Sequence, residues 1–336
     1  HYNQQNLNRS VDVLYSRNPG ETITMDNGRT RGNYLSEIQN NQIRQTFNLY
    51  GTYDNTFANA HSVKVIVGGN YDYKYFKKLG MKCNGLLSES LDDFNLAKGD
   101  DISITGGQEE YAILGFFYRL NYGYKDRYLF EASGRYDGSS RFRRGHRFGF
   151  FPSFSAGWRI NQESFMQDAS WIDNLKLRAS WGQLGNINNV GQYDYFATYV
   201  QGGNYNFENT IVSGIREGKP ANPGLGWETV TITNVGVDFD ILNGLFSFTG
   251  EFYDKQTKDI LLSYPSPAEV GINSDYKVSQ NIGKVSNKGL EFNISHNKSI
   301  GDFSYTVGFN LSKNWNKVKD LGANDPMIED PWIKKV

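Results

Sequence analysis

Along much of the chain apolar and polar residues alternate with a period of two, which predicts β-strands with one greasy and one polar face. The clearest case is 127–160, RYLFEASGRYDGSSRFRRGHRFGFFPSFSAGWRI. Tyr128, Phe130, Ala132, Gly134 and Tyr136 fall on one side, opposite Leu129, Glu131, Ser133, Arg135 and Asp137. After a Gly-, Ser- and Arg-rich turn, Phe154, Ala156 and Trp158 repeat the pattern. The same reading predicts strands over 42–54, 62–75, 109–122, 127–137, 153–160, 175–185, 227–240, 245–255, 283–297 and 302–316, ten in all. The polar opening to Asn41, with Val11, Val13 and Tyr15 alternating briefly, reads as the end of one strand and a long loop. Segments 77–108, 185–226 and 256–282, the last holding Pro265 and Pro267, read as long loops.

These connections alternate in length. Short ones follow Asp54, Tyr122, Ile160, Asp240 and Asn297, and longer ones follow Tyr75, Asp137, Gly185 and Lys255. A sandwich has no reason to treat its two ends so differently, whereas outer-membrane barrels have short periplasmic turns and longer external loops. Strands of about 11 to 14 residues, tilted by roughly 40°, reach about 28 to 35 Å, enough to cross the apolar band of such a barrel. Tyr122, Tyr128, Trp158, Trp181 and Trp227 stand near strand ends, as an interfacial girdle requires.

Composition sharpens this picture. With 22 Tyr, 22 Phe and 36 Gly but four Met, the chain is made for strands and turns. Its net charge of −1, from 35 basic and 36 acidic side chains, gives no field that would gather nucleic acid. Cys83 stands alone, so no internal disulfide forms. No run approaches the roughly 18 apolar residues of a membrane helix, which excludes helical spans only. A barrel hides its apolar residues in alternation, consistent with the mean hydropathy of −0.59. Opening on His1 without a signal peptide, the sequence reads as a piece of a longer protein.

The segments FEASGRYDGSSRF and GFFPSFSAGWRI resemble the barrel signature of SusC/RagA-type TonB-dependent outer-membrane transporters of Bacteroidetes. NLKLRASWGQLGN, NPGLGWETVTITNVGVDFDILNGLFSFTGEFYDKQTKDILL and NIGKVSNKGLEFNISHN resemble further segments of that family in its order, so the likeness runs from about Tyr111 onward. It implies an all-β, antiparallel transmembrane β-barrel, of which 1–336 is an incomplete portion of about ten strands from a total of about 22. Plug domain, TonB box and terminal strands are expected to be absent, and the stretch 332–336 lacks the terminal aromatic usual in such barrels. The resemblance further implies import of glycans, or of oligopeptides, across the bacterial outer membrane. The implied partners are a SusD-like surface lipoprotein, TonB acting through the missing plug, and outer-membrane lipid, with no cofactor.

Candidate site residues fall into groups. Tyr193, Tyr195, Tyr199, Tyr205 and Phe207 offer flat faces for sugar rings or peptide side chains; the plainer reading packs them on the loop itself or on a partner. Arg141, Arg143, Arg144, His146 and Arg147 form a basic tip that either grips anions or is simply a solvated face. Strand parity directs Arg119, Glu131, Arg135, Arg178, Asp238, Glu251 and Glu291 toward a wet lumen and its plug. The acidic groups Asp92 with Asp93, Asp100 with Asp101, and Asp325 with Glu329 and Asp330 lack the spacing of a recognised calcium loop, so no metal is expected. No catalytic triad, phosphate-cradling loop or zinc spacing occurs in the context it needs, and no enzyme is predicted. The competing reading is a soluble or surface glycan-binding β-sandwich or adhesin without transport, which would bury the apolar stripe under a second sheet.

Overall fold

A computed structural model describes residues 2–10, 34–84, 93–96, 102–202, 205–208, 210–218, 220–265 and 277–322. The alternation at 11–15, Pro267, the stretch 332–336 and all the acidic candidates except Asp93 lie outside the described residues.

Backbone packing divides the chain into two units, 1–46 with 72–112 and 47–71 with 113–336. The strands are β1 (Tyr2–Ser10), β2 (Tyr34–Phe57), β3 (His61–Asn84), β4 (Ile102–Tyr124), β5 (Tyr128–Ser139), β6 (Phe148–Arg159) and β7 (Ile172–Asn186). After four short strands in the 187–227 loop, β8 (Tyr199–Gln201), β9 (Tyr205–Phe207), β10 (Thr210–Val212) and β11 (Ile215–Glu217), come β12 (Glu228–Ile241), β13 (Phe246–Pro265), β14 (Lys277–Ile300) and β15 (Phe303–Asp320).

In the first unit β1 pairs antiparallel with β2, from Tyr2 opposite Gln42 to Ser10 opposite Tyr34. Leu35 and Cys83 are buried together against Phe94, which sits on a single 3₁₀ turn. Arg44 grips Asp72 through Nε at 2.9 Å and Nη2 at 3.1 Å, and Thr46 Oγ1 adds a 2.8 Å bond.

In the second unit each main strand lies beside its sequence neighbour, with the long 187–227 loop joining β7 to β12. Direct pairing aligns Tyr122, Phe130, Ala156, Ala179, Val235, Phe252 and Leu290 in one row across seven strands. The neighbouring row on the opposite face reads Asn121, Glu131, Ser155, Ser180, Asn234 and Tyr253. A slip of one residue would exchange the two rows, so the sequence pattern fixes the register. The apolar row belongs to a face on which Phe116, Phe130, Phe154, Trp181, Val235, Phe252, Ile294 and Phe309 are all exposed. Among the described residues no second sheet covers this face, since the other pairings are the short ones between β8 and β11 and between β9 and β10. A sandwich would have buried it.

The strands run further than expected. β2, β3 and β14 have 24 residues each, β4 has 23 and β13 has 20. The loops expected over 77–108 and 256–282 shrink accordingly, and β1 adds an eleventh strand to the ten. The physical reason is visible in stretches such as ISITGGQEEYA at the start of β4. Where both faces are polar the alternation vanishes, yet the backbone goes on pairing.

Tight turns close one end of the sheet. Ala58 and Asn59, Lys125 and Asp126, and Leu242 and Asn243 are consecutive pairs with φ between 47° and 57°. Paired left-handed residues match the twist of the strands they join. The 160–171 connection is longer but is drawn in by two 3₁₀ turns, Ile160–Gln162 and Ser164–Met166.

Candidate functional site

The polar face of the second unit carries all seven residues expected to face a lumen, and they fall into small charge groups. Arg178 on β7 lies over Gly236, directly opposite it on β12. A Cβ at 236 would sit 2.7 Å from Arg178 Cζ, so only glycine leaves room for the guanidinium. Passing over that gap, Arg178 Nη2 reaches Glu251 at 2.6 Å and its Nε lies 3.3 Å from Asp238. Glu291 stands directly opposite Glu251. Arg119 pairs with Glu131 at 3.5 Å. Arg135 donates to both carboxylate oxygens of Asp137, at 3.0 and 2.8 Å, and to Asn70 at 3.0 Å, while stacking over Phe117. A concavity of about 590 Å³ opens on this face, with Asp54, Lys64, Asn121, Glu131, Lys176 and Arg178 in its lining. Its charges are of both signs, and within the lining Lys64 pairs with Asp54 at 3.0 Å. Exposed ion pairs of this kind contribute about 0 to 1 kcal/mol each, so their use is registration more than stability.

At the tight-turn end, Glu163 in the β6–β7 connection collects three donors. Tyr128 Oη donates to its Oε1 at 2.6 Å, Trp158 Nε1 to the same oxygen at 3.0 Å, and Arg127 Nη1 to Oε2 at 3.2 Å. The Tyr128 bond first, and the Trp158 bond next, hold the Glu163 carboxyl below the usual carboxylate range against the cost of its desolvation. Tyr128 and Trp158 also expose ring surface on the apolar side, each with its polar tip tied to the turn. Tyr122 Oη lies 2.8 Å from His61 Nδ1 in the same region. Trp227 departs from the girdle expected of it. Its ring packs on Phe142 and Phe151, with centroids at 5.5 and 5.3 Å, and its Nε1 donates to Arg147 O at 2.9 Å.

The other end is built on a small core. Phe142 and Leu225 are fully buried with Val190 and Ile187, and Trp227 and Leu261 pack against them. Beside this core the buried Glu228 accepts from Asn186 Nδ2 at 2.6 Å, Asn189 Nδ2 at 3.1 Å and Leu261 N at 2.9 Å. Asn281 ties the same region to β14 through Gly226 N and O, both at 2.9 Å. Of the basic tip, Arg141 Nη1 donates to Ile187 O and Val190 O at 3.1 Å, and Arg147 Nε to Phe142 O at 3.0 Å. Those two are staples; Arg143, Arg144 and His146 are exposed.

The five aromatic candidates are dispersed. The Tyr195 and Phe196 rings lie tilted against each other with centroids 4.2 Å apart, and Tyr193 is half-exposed nearby in sequence. Tyr199 lies on β8, which pairs with β11, while Tyr205 and Phe207 lie on β9, which pairs with β10, their rings 4.8 Å apart. Sequence reasoning overlooked Glu163, Glu228, Phe142 and Asn281. Phe142 and Glu163 sit in connections where no period exists to read, and Asn281 lies in the part of β14 whose sequence reads as loop; Glu228, beginning a strand directly after the GLGW turn, was the one with a local signal.

Residues 1–330 match the family model described as TonB dependent receptor-like, beta-barrel. TonB-dependent receptor SusC of Bacteroides thetaiotaomicron is 33% identical over 329 residues, 95% of this chain and 32% of that protein. TonB-dependent receptor P39 of Formosa agariphila is 32% identical over 330 residues, 96% of this chain and 30% of that protein. A structure of the RagAB peptide transporter superposes with a TM-score of 0.81 at 25% identity, covering 96% of this chain and 34% of that one. The outer-membrane transporter YddB of Escherichia coli shares the fold alone, with a TM-score of 0.54 at 13% identity, covering 94% of this chain and 39% of that one. The chain thus spans about a third of the length of the relatives it matches.

Proposed function

Because this chain belongs to the TonB-dependent receptor-like β-barrel family, we propose that its parent imports nutrient oligomers across the outer membrane. The chain is a portion of an outer-membrane barrel of the SusC and RagA type. Residues 1–336 then supply part of the barrel wall only, with plug and remaining strands elsewhere in the parent. The cargo is an oligosaccharide in the first reading and an oligopeptide in the second, which the likeness to the RagAB peptide transporter favours.

The observation that carries this reading is the exposed apolar row on one face of a sheet whose other face is charged. Lipid outside and a wet interior satisfy both at once. Arg119, Glu131, Arg135, Arg178, Asp238, Glu251 and Glu291 would face the plug, which TonB pulls. The β8–β11 arm, with Tyr199, Ile211 and Ile215 all exposed, would meet a SusD-like lipoprotein. No bond of the cargo is made or broken.

Deleting the parent gene tests this. Uptake of fluorescent maltohexaose and of a fluorescent octapeptide should be compared with that of the complemented strain, alongside membrane fractionation. Loss of either uptake, with the protein in the outer membrane, supports the reading. Unchanged uptake of both, or a soluble protein, contradicts it.

A further inference from the structure

The basic tip between β5 and β6 faces aromatic residues that the reading above leaves without a defined ligand. Arg143, Arg144, His146 and Arg147 line one side of a recess of about 630 Å³, and Tyr195, Phe196, Ala197 and Pro223 line the other. Arg147 is held by Phe142 O, but among the described residues Arg143 and Arg144 have no acidic partner. Both walls are pinned to one core, since Phe142 of the tip is buried against Ile187, Val190 and Leu225 of the facing loop. Arg141 doubles that connection through the Ile187 and Val190 carbonyls. The recess is therefore preformed, and its two unpaired guanidiniums stay solvated until an oxyanion arrives.

Several ligands carry oxyanions, and the surroundings choose among them. The core beneath the recess joins Trp227 and, through it, Phe151, whose strand position is directly opposite Arg135 on the charged face. That places the base of the recess away from the apolar face, where a lipid headgroup would lie. The Tyr195 and Phe196 rings, tilted by 35°, with Pro223 beside them, offer flat apolar area suited to a pyranose ring. A sugar ring bearing a carboxylate or sulfate uses both halves of the site; a glutamate side chain uses the arginines and leaves the aromatic wall idle.

We propose that this recess binds acidic saccharides, with a uronate carboxylate or sulfate ester on Arg143 and Arg144 and the sugar ring against Tyr195 and Phe196. The proposal rests on the importer reading, in that the saccharide arrives as cargo.

The test is calorimetry on the full-length parent, purified in detergent with whatever partner co-purifies. The probes are tetragalacturonate, a sulfated carrageenan tetrasaccharide, maltotetraose and tetraglutamate. At least one acidic saccharide should bind more tightly than maltotetraose and tetraglutamate. Arg143→Gln with Arg144→Gln should weaken it about tenfold or more, the effect of losing charge-assisted hydrogen bonds, and Tyr195→Ala should weaken it too. Neither acidic saccharide binding, binding unchanged by the double substitution, or tetraglutamate binding as tightly would each overturn the site. A parent that still imports neutral oligomers after such a result loses this site and keeps its transport function. A parent that never assembles in the outer membrane loses both.

Discussion

The Tyr128 hydroxyl donates to Glu163 across 2.6 Å, tying the first residue of β5 to the turn that follows β6. With Trp158 and Arg127 on the same carboxylate, one acidic side chain fixes two aromatic residues at the edge of the apolar face. Glu163→Ala should lower the thermal unfolding midpoint of the parent barrel, read from its heat-modifiable mobility on gels, and Glu163→Gln should lower it less.

The same carboxylate gives a pH dependence whose sign follows from its depressed folded value. Its stabilisation is complete above the unfolded value of about 4.3 and is lost as pH falls through the lower folded one. Unfolding midpoints compared at pH 6 and across the acid range should show the difference between wild type and Glu163→Gln shrinking only in acid. A difference that grows in acid would contradict the assignment.

Phe252 and Asn293 test the two faces. Phe252 sits mid-row on the apolar face, and Asn293, opposite Thr249 on β13, lies exposed on the other. Phe252→Arg should cost roughly 2 to 4 kcal/mol if its row lies near the bilayer midplane, and Asn293→Arg should cost far less. Urea unfolding in lipid vesicles measures both, and equal losses would refute the face assignment. Glu251 is unsuitable as the polar-face control because its carboxylate holds Arg178.

Gly236→Ala should displace the Arg178 guanidinium from its place over β12. The clash is with the far end of a flexible side chain, so the loss is that of the displaced ion pairs, about 0 to 1 kcal/mol each. Gly236→Ala combined with Arg178→Gln should lose less than the sum of the two single changes, because the clash disappears with the arginine. Additive losses in urea unfolding would show that the two residues do not interact.

How much of this was readable from the sequence depended on whether a residue sat in a two-sided strand. Phe130, Val235 and Phe252 were legible because one neighbour faces the charged side and the next does not, and Arg178 was placed by the same parity. The outer reaches of β2, β3, β4, β13 and β14 were not legible: the start of β4 is exposed on both faces and reads like a loop, while Leu35, Cys83 and Leu261 pack singly, too sparse to make a period. Trp227 misled because an aromatic at a strand end suits a girdle as well as a loop core, and only the nearby Phe142 and Phe151 decide between them. The basic tip read as one cluster, but the carbonyls that occupy Arg141 and Arg147 come from distant loop residues and from the turn itself, which no spacing reveals.

The most direct test of the account is single-cysteine labelling of the full-length parent in intact cells, with Cys83 replaced by alanine. Asn206 lies exposed on the β9–β10 hairpin, and Asn243 lies in the tight turn between β12 and β13. A membrane-impermeant maleimide should label Asn206→Cys in intact cells and reach Asn243→Cys only after the outer membrane is permeabilised. Labelling of Asn243→Cys but not Asn206→Cys would invert the topology. Equal labelling of both in a protein soluble without detergent would contradict the barrel altogether.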